Sequence, residues 1–313
     1  MNIFDQNLIN YDKVVDLYYS WLYCRLHYLI TNAVLQYYRP KKVLDVGCGT
    51  GFQSYLYSTA GCMVTGVDVS ENMIKLARSK IKNNGSVDGS NLILFSERYD
   101  FVKRYNLLIN SRIKNDRKMC SKPEFMLANV EELPFQKNSF DHISCCGSVL
   151  NLIDNCQLGL KEMSRLVKPG GTIFVEVEFR WTMDRFWTFV DFLLRNTIGF
   201  NSTLKDFCTS IFHNPLKDIS ITYQYGERKR PIPIKLNLFT HNQLKNYFDT
   251  FSLKAIRNWT IHSITNLVPS VTLDTDYQSL KLVKLFSILS SIEERLPLQM
   301  PGCSKVYLLK KIL

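Results

Sequence analysis

No stretch of this chain approaches eighteen uninterrupted apolar residues, and no two cysteines stand at CxxC spacing. The first absence leaves no candidate for a membrane-spanning helix. The start also lacks a charged segment leading into an apolar run and a small-residue cleavage site, so no secretory leader is expected and the cytoplasm is the expected compartment. The second absence argues against a structural zinc site, and no metal is expected. Nine scattered cysteines, an odd number, argue against a disulfide framework and read as reduced, mostly buried thiols. The sequon-like triplets at Asn84, Asn201 and Asn258 then carry no glycosylation argument. Acidic residues are the scarcer charge: 28 Asp and Glu against 39 Lys and Arg leave a net charge of +11. Such a surplus suits an anionic partner. It concentrates, however, only in residues 98–122 (Arg98, Lys103, Arg104, Arg112, Lys114, Arg117, Lys118, Lys122) and at Arg228, Lys229 and Arg230, neither of which resembles a nucleic-acid-reading module. Solvated surface is the expectation, nucleic acid is not an expected partner, and a weak peripheral contact with a membrane surface or other anion is the second reading.

What the chain does have is a glycine-rich turn behind an apolar strand. Residues 43–51 read VLDVGCGTG, a strand of about five residues that breaks into alternating glycines. Gly47, Gly49 and Gly51 leave the backbone bare where a strand turns into a helix, so a ligand can approach the peptide groups. Asp45 lies inside the apolar run, where a carboxylate is costly unless a donor or cation satisfies it. A helix is expected over 52–59 and a second strand over 63–67. Asp68 ends that strand, 21 residues after Gly47 (68 − 47), where a doubly wound sheet presents an acidic side chain to ribose hydroxyls. Ser70 is a good N-cap for the helix that carries Met73, Ile74, Leu76 and Ala77. Residues 83–122 interrupt the alternation and read as an insertion at the rim of the ligand crevice, with a helix over 101–113. Strands follow over 125–128, 142–146 and 172–177, with a helix over 155–167 and a Lys168-Pro169-Gly170-Gly171 turn. Ahead of all this, residues 11–38 carry apolar and aromatic side chains at helical spacing. Tyr11, Tyr18, Tyr19, Trp21 and Tyr23 among them are either core packing or a lid of rings over a cationic ligand.

Five ordered pieces, VLDVGCGTG at 43–51, VTGVDVSENMIKLAR at 64–78, MLANVEELPF at 126–135, NSFDHISC at 138–145 and RLVKPGG at 165–171, give the chain its family likeness. It resembles the class I methyltransferases that use S-adenosylmethionine (SAM), most closely the ubiquinone/menaquinone C-methyltransferase-like group called type 11. The likeness covers about residues 35–178. It implies an α/β fold with a Rossmann-like, doubly wound, seven-stranded sheet, mostly parallel with its last strand antiparallel, plus N-terminal helices and an inserted substrate cap. It further implies that Gly47, Cys48, Gly49 and Gly51 line the methionine portion of the cofactor, with Asp45 near its ammonium group. Asp68 would hold the ribose, and Val69, Met73, Asn129 and Val130 would surround the adenine. Relatives commonly carry aspartate at the position of Asn129, whose side-chain oxygen can still accept a hydrogen bond. Cys146, Gly147 and Ser148 would form the floor between cofactor and substrate. The nearest rival, a nicotinamide dehydrogenase, has a GxGxxG fingerprint where this turn is GxGxG. A noncatalytic SAM-binding or nucleic-acid-associated protein is the rival from another class.

The chain divides into a helical lid (1–40), the SAM-binding core (41–178), a substrate cap (179–250), and a final segment (251–313) of strands and a helix completing the core. In the cap, Phe179, Trp181, Met183, Phe186, Trp187, Phe189, Phe192 and Leu193 read as an aromatic amphipathic helix, continued by Phe207, Ile211 and Phe212. A hairpin is expected over 219–238, a helix over 243–248 capped by Thr240, and terminal strands over 253–264 and 304–310. Methyl transfer needs alignment and exclusion of water, and a general base when the acceptor is a hydroxyl or acidic carbon. Glu176, Glu178, His241 and His262 are the candidates, with Glu178 and His262 ahead. Tyr18, Tyr19, Ser148, Trp181 and Trp187 are the expected substrate contacts. The acceptor is expected to be a hydrophobic or aromatic small molecule, such as a natural product or quinone-like compound, methylated on O or C ahead of N.

Overall fold

The computed structural model describes residues 17–81, 99–113, 122–200, 204, 208, 219–225, 232–273, 279–295 and 302–312. Its strands are β1 (Lys42–Val46), β2 (Met63–Asp68), β3 (Glu124–Leu127), β4 (Phe140–Cys145), β5 (Val167–Glu178), β6 (Ile219–Tyr225), β7 (Ile232–Leu238), β8 (Leu253–Ile261) and β9 (Ser304–Lys311). Seven of them form one sheet in the order β3-β2-β1-β4-β5-β9-β8, and β6 and β7 pair separately. β1 to β5 are mutually parallel, whereas β9 runs antiparallel to both β5 and β8. Four of the five β1 residues are buried, as expected for a parallel strand covered on both faces. The likeness had implied this sheet, and its antiparallel strand is where expected.

The helices are α1 (Leu17–Ile30), α2 (Phe52–Thr59), α3 (Glu71–Ser79), α4 (Asp100–Arg112), α5 (Val149–Leu152), α6 (Cys156–Leu166), α7 (Met183–Leu193), α8 (His241–Thr250), α9 (Ser270–Leu273) and α10 (Leu280–Arg295). Local signals explain several of them. Ser70 Oγ accepts the Met73 N–H, Asn155 caps α6, and Thr240 and Gln243 form a reciprocal capping box on α8. A π-helical turn, Thr31–Leu35, continues α1 before Pro40. One core gathers Trp21, Leu26, Val34, Leu56, Tyr105, Phe174 and Phe286, from α1, α2, α4, α10 and the sheet. A second joins Leu160, Met163 and Leu166 of α6 to Leu244 and Phe248 of α8 over Ile143 and Val175. Each such side chain contributes about 1.5–3 kcal/mol by leaving water.

Three features differ from expectation. β5 starts at Val167 instead of 172, because Val167 already pairs with Phe140 before a register shift. α5 was not expected, and it follows Ser148, a non-glycine residue in the left-handed region (φ 57°). Residues 241–250, grouped with the cap, form α8 and cover the sheet through Leu244 and Phe248. The described part of the insertion, α4, docks on α1 and α10: Arg104 pairs with Glu294 at 2.8 Å and Arg112 reaches Asn32. Part of the basic stretch is therefore structural. Its residues 98 and 114–121, the run 228–230, Tyr11, Phe207, Ile211 and Phe212 lie outside the described residues. Among the described residues, no helix is long and apolar enough to cross a membrane.

This topology sets one edge apart. Strand order reverses between β1, which leads to β2, and β4, which leads to β5, and ligands bind outside the carboxyl ends of strands at such a switch point. Because β5 and β8 both oppose β9, the ends of β5 and β8 and the start of β9 share that edge, with Glu178 paired to Ser304 and Ser304 to Ile261.

Candidate active site

The first half of the site is a backbone cradle. Gly47, Gly49 and Gly51 all adopt positive φ (64°, 51° and 89°), the conformation glycine takes at least cost. A Cβ on Gly47 would overlap the Val149 side chain, whereas one on Gly49 or Gly147 would stand in open space. Asp68 is half-buried at the end of β2 and crosses to the turn, accepting the Gly49 N–H at 2.8 Å and the Ser70 N–H at 2.9 Å. Its two oxygens offer further lone pairs to hydroxyl donors. Asp45 is fully buried, and Ser54 Oγ of α2 donates to it at 2.6 Å. Burial pushes its carboxyl up to about 7, against the stabilising Ser54 hydroxyl. Cys48 is buried, and its N–H bonds the Val67 carbonyl. Val69 is 54% exposed, Met73 of α3 is buried, and Val130 packs into the core with α6. Asn129 is exposed, with Oδ1 accepting the Glu131 N–H. Two buried atoms in this turn, Thr50 Oγ1 and Gln53 Nε2, have no protein partner. A cradle open at Gly49 and Gly147, a carboxylate at its end and orphaned polar atoms beside it fit a nucleoside cofactor of SAM's shape.

The second half is built from side chains. Glu176 is buried and accepts the N–H groups of Gly147 (2.8 Å) and Ser148 (3.3 Å), which holds the turn after β4. Cys146 is buried beside Ser144 at the floor. Glu178, two residues along the same face, is half-buried and accepts from Ser148 Oγ at 2.9 Å. Asn151 of α5 clamps the Glu178 backbone, accepting its N–H at 2.9 Å and donating to its carbonyl at 3.0 Å. Burial, reinforced by the neighbouring Glu176 charge, pushes the Glu178 carboxyl up to about 7. The fold brings Tyr18, Asp184, His262 and Cys303 to the same neighbourhood. The Tyr18 ring lies 4.8 Å from the His262 ring, and burial raises its hydroxyl well above the usual range, with Cys303, Glu178, Glu176 and Asp184 adding to the effect.

The expected substrate contacts separate into two groups. Tyr18 and Ser148 converge on Glu178, the expected base. Tyr19 packs edge-on against Tyr18 and stacks towards Tyr23, which in turn stacks on Phe52 at the start of α2, so the rings run from one half of the site to the other. Trp21 is fully buried and belongs to the core. Trp187 Nε1 donates to the Asn266 carbonyl, and Trp181 is 47% exposed beneath the Arg180 guanidinium. Of the histidines, His262 is fully buried with both ring nitrogens engaged, by Thr265 and Asn266, and His241 bonds the Tyr307 hydroxyl. The sequence reading missed Asn151, Asp184 and Cys303. Asn151 and Asp184 each stand just after a strand that ends at the ligand edge, and that placement was the available signal. Cys303 carried none, since its partners lie about forty and over a hundred residues away.

Comparison with known proteins bears on the first half. Residues 44–175 match a family described as a methyltransferase domain. Methyltransferase GfsG of Streptomyces halstedii is 28% identical over 145 residues, 46% of this chain and 40% of its own length. A demethylmenaquinone methyltransferase of Listeria welshimeri is 30% identical over 146 residues, 46% of this chain and 47% of its own. The chain thus matches less than half the length of these curated relatives. A SAM-dependent methyltransferase structure from Methanosarcina mazei shares the fold, with a TM-score of 0.50 and 17% identity over 87% of this chain and 92% of that one.

Proposed function

We propose, from the premise that residues 44–175 form a class I methyltransferase domain of the type 11 kind, that the whole chain is a SAM-dependent methyltransferase acting on an O or C atom of a hydrophobic small molecule. The observation that carries the choice of atom is Glu178, half-buried beside the Gly147–Ser148 turn, with its carboxyl raised to about 7. A base so poised suits an acceptor that must lose a proton as it attacks, a hydroxyl or an acidic carbon, better than a neutral amine.

SAM, when bound, supplies a methyl group on a sulfonium centre. The residues then divide the work. Gly49 and Gly147 leave open space in which the ligand can approach the backbone, and Asp68 would receive the ribose hydroxyls. Val69 and Met73 would flank the adenine, and Asn129 Oδ1 would accept from its amino group. Ser148 steers the Glu178 carboxylate, which would take the acceptor's proton, and the methyl carbon would pass from the sulfonium sulfur, leaving a neutral thioether, to the acceptor. Tyr18 and Tyr19 close the site against water. Glu176 and His262 support the frame and leave the proton transfer to Glu178. The exposed rings of Trp181 and Phe186 favour an apolar or aromatic acceptor, and the name of one relative, a demethylmenaquinone methyltransferase, points the same way.

Isothermal titration with SAM and with NAD, followed by transfer of labelled methyl from SAM into a panel of hydroxylated and quinone-like compounds, tests this reading. SAM binding with NAD excluded, and label recovered in an ether or C-methyl product, is the expected result. Absence of SAM binding sinks the proposal, and label recovered only on amines overturns the role given to Glu178.

A further inference from the structure

The geometry points to a divalent-cation site, with zinc's ligand preferences, formed by Asp184, His262 and Cys303 at the ligand edge of the sheet. The three residues come from the first turn of α7, the turn after β8 and the residue before β9, and their donor atoms all lie within 4.8 Å of one another. A tetrahedral zinc site with O, N and S ligands has edges of about 3.3–3.8 Å, so side-chain rotations of roughly 1 Å complete it. A carboxylate, an imidazole and a thiol form a donor set of zinc's type, and three protein ligands leave a fourth position open.

The surroundings hold these donors as the outer partners of metal ligands do. Thr265 Oγ1 donates to Glu293 Oε2 at 2.9 Å, so it accepts the His262 Nδ1–H at 2.7 Å, and the lone pair resides on Nε2, towards Asp184 and Cys303. His262 has φ 58°, a strained backbone for a non-glycine residue, and it is held there by Glu293, which accepts the N–H groups of His262, Ser263 and Thr265. Cys303 is fixed on both sides: its N–H bonds the His262 carbonyl at 3.2 Å and its carbonyl accepts the Phe179 N–H at 3.0 Å. Gly302 permits this approach, since a Cβ there would overlap Thr260 and stand 2.6 Å from the Ile261 carbonyl. Without a cation, the Cys303 thiol donates to Asp184 Oδ2 at 3.1 Å. Asn266 Nδ2 bridges Asp184 Oδ1 and His262 Nε2 at 2.9 and 3.1 Å, and the Ser270 N–H bonds Asp184 Oδ1. A cation takes the Nε2 lone pair from Asn266 and the thiol's place on Asp184, and the thiol proton leaves to solvent. The thiol bonds the carboxylate and not the imidazole, an order that does not suit a Cys–His nucleophile pair. Asp184 and Cys303 are half-buried, which gives an entry path. The proposal stands whether or not the methyl-transfer reading does.

Cobalt(II) alone, titrated into the full-length, reduced, metal-stripped protein, is the test. The expected result is one Co(II) per chain with a near-ultraviolet thiolate-to-cobalt band that excess Zn(II) abolishes. In Cys303→Ser the band disappears with the far-ultraviolet circular dichroism unchanged, and in Asp184→Asn the Co(II) affinity falls at least about tenfold. No band in the wild type, or a band of equal intensity in Cys303→Ser, overturns the site. Should Cys303→Ser fail to fold, the Asp184→Asn titration decides, an unchanged affinity there overturning the proposal as well. SAM titration of the metal-free protein reads the methyltransferase proposal separately.

Discussion

The two halves of the site are made in opposite ways. The cradle half, around residues 45–51 and 68–73, is mostly backbone, with glycines at positive φ and one carboxylate that accepts two N–H groups. The half around Glu178 is side chain: Ser148, Asn151 and Glu178 from one region, with Tyr18, Asp184, His262 and Cys303 brought in from four others. Backbone recognises a ligand common to many proteins, because only room and N–H direction are required. Side chains drawn from separate segments can change independently, which is what a site that tells one ligand from another requires.

Three substitutions break or sharpen this contrast. The largest effect is expected from Gly47→Ala, where the new methyl overlaps Val149 and the backbone stands at φ 64°. Overpacking and left-handed strain together cost about 2–4 kcal/mol, read as a lower thermal midpoint and as weakened SAM binding by calorimetry. An unchanged SAM affinity would show that the cradle does not depend on bare backbone. Glu178→Gln comes next. It is expected to lower kcat by about a hundredfold or more while leaving SAM affinity nearly as it was. The wild-type rate should rise with pH through about 7, where the raised carboxyl loses its proton, and the Gln variant should show no such rise. The same group links to stability with a definite sign. Its folded-state pKa is raised, so the folded form holds the proton more tightly than the unfolded chain and loses that advantage as pH rises through about 7. Glu178→Gln should therefore gain stability relative to the wild type between pH 5 and pH 8 in denaturant titrations. The smallest effect on the frame belongs to Trp181→Ala. With 47% of the residue exposed, stability should change by no more than about 0.5 kcal/mol, while KM for the acceptor rises and SAM affinity holds. A large fall in thermal midpoint would make this ring structural instead.

Legibility followed the same division. The expected helix over 52–59 and the Ser70 and Thr240 caps appear as read, because caps and strand-to-helix turns are decided by neighbours within a few residues. α5 was missed because it is four residues long and follows a left-handed Ser148, a conformation that no local preference of serine announces. Glu176 and Glu178 were placed on one face by the two-residue period. Only packing separated their roles, burying Glu176 on two backbone N–H groups and leaving Glu178 half-buried at the crevice. The aromatic run 179–193 is helical over Met183–Leu193 as expected, but the buried residues of that helix are Thr188 and Asp191, with Phe186, Phe192 and Leu193 outward. Asp191 accepts the N–H groups of Ile198, Gly199 and Phe200, and that loop turned the helix over.

The sequence by itself determined the strands β1 and β2, the glycine turn between them and the acidic residue that closes it, since each rests on patterns spanning a few residues or one strand-helix unit. The meeting of Tyr18, Glu178, Asp184, His262 and Cys303 was decided by tertiary structure alone. Antiparallel pairing of β9 with β5 and β8 sets residues 178, 261 and 304 side by side, and no local preference encodes a contact between segments so far apart along the chain.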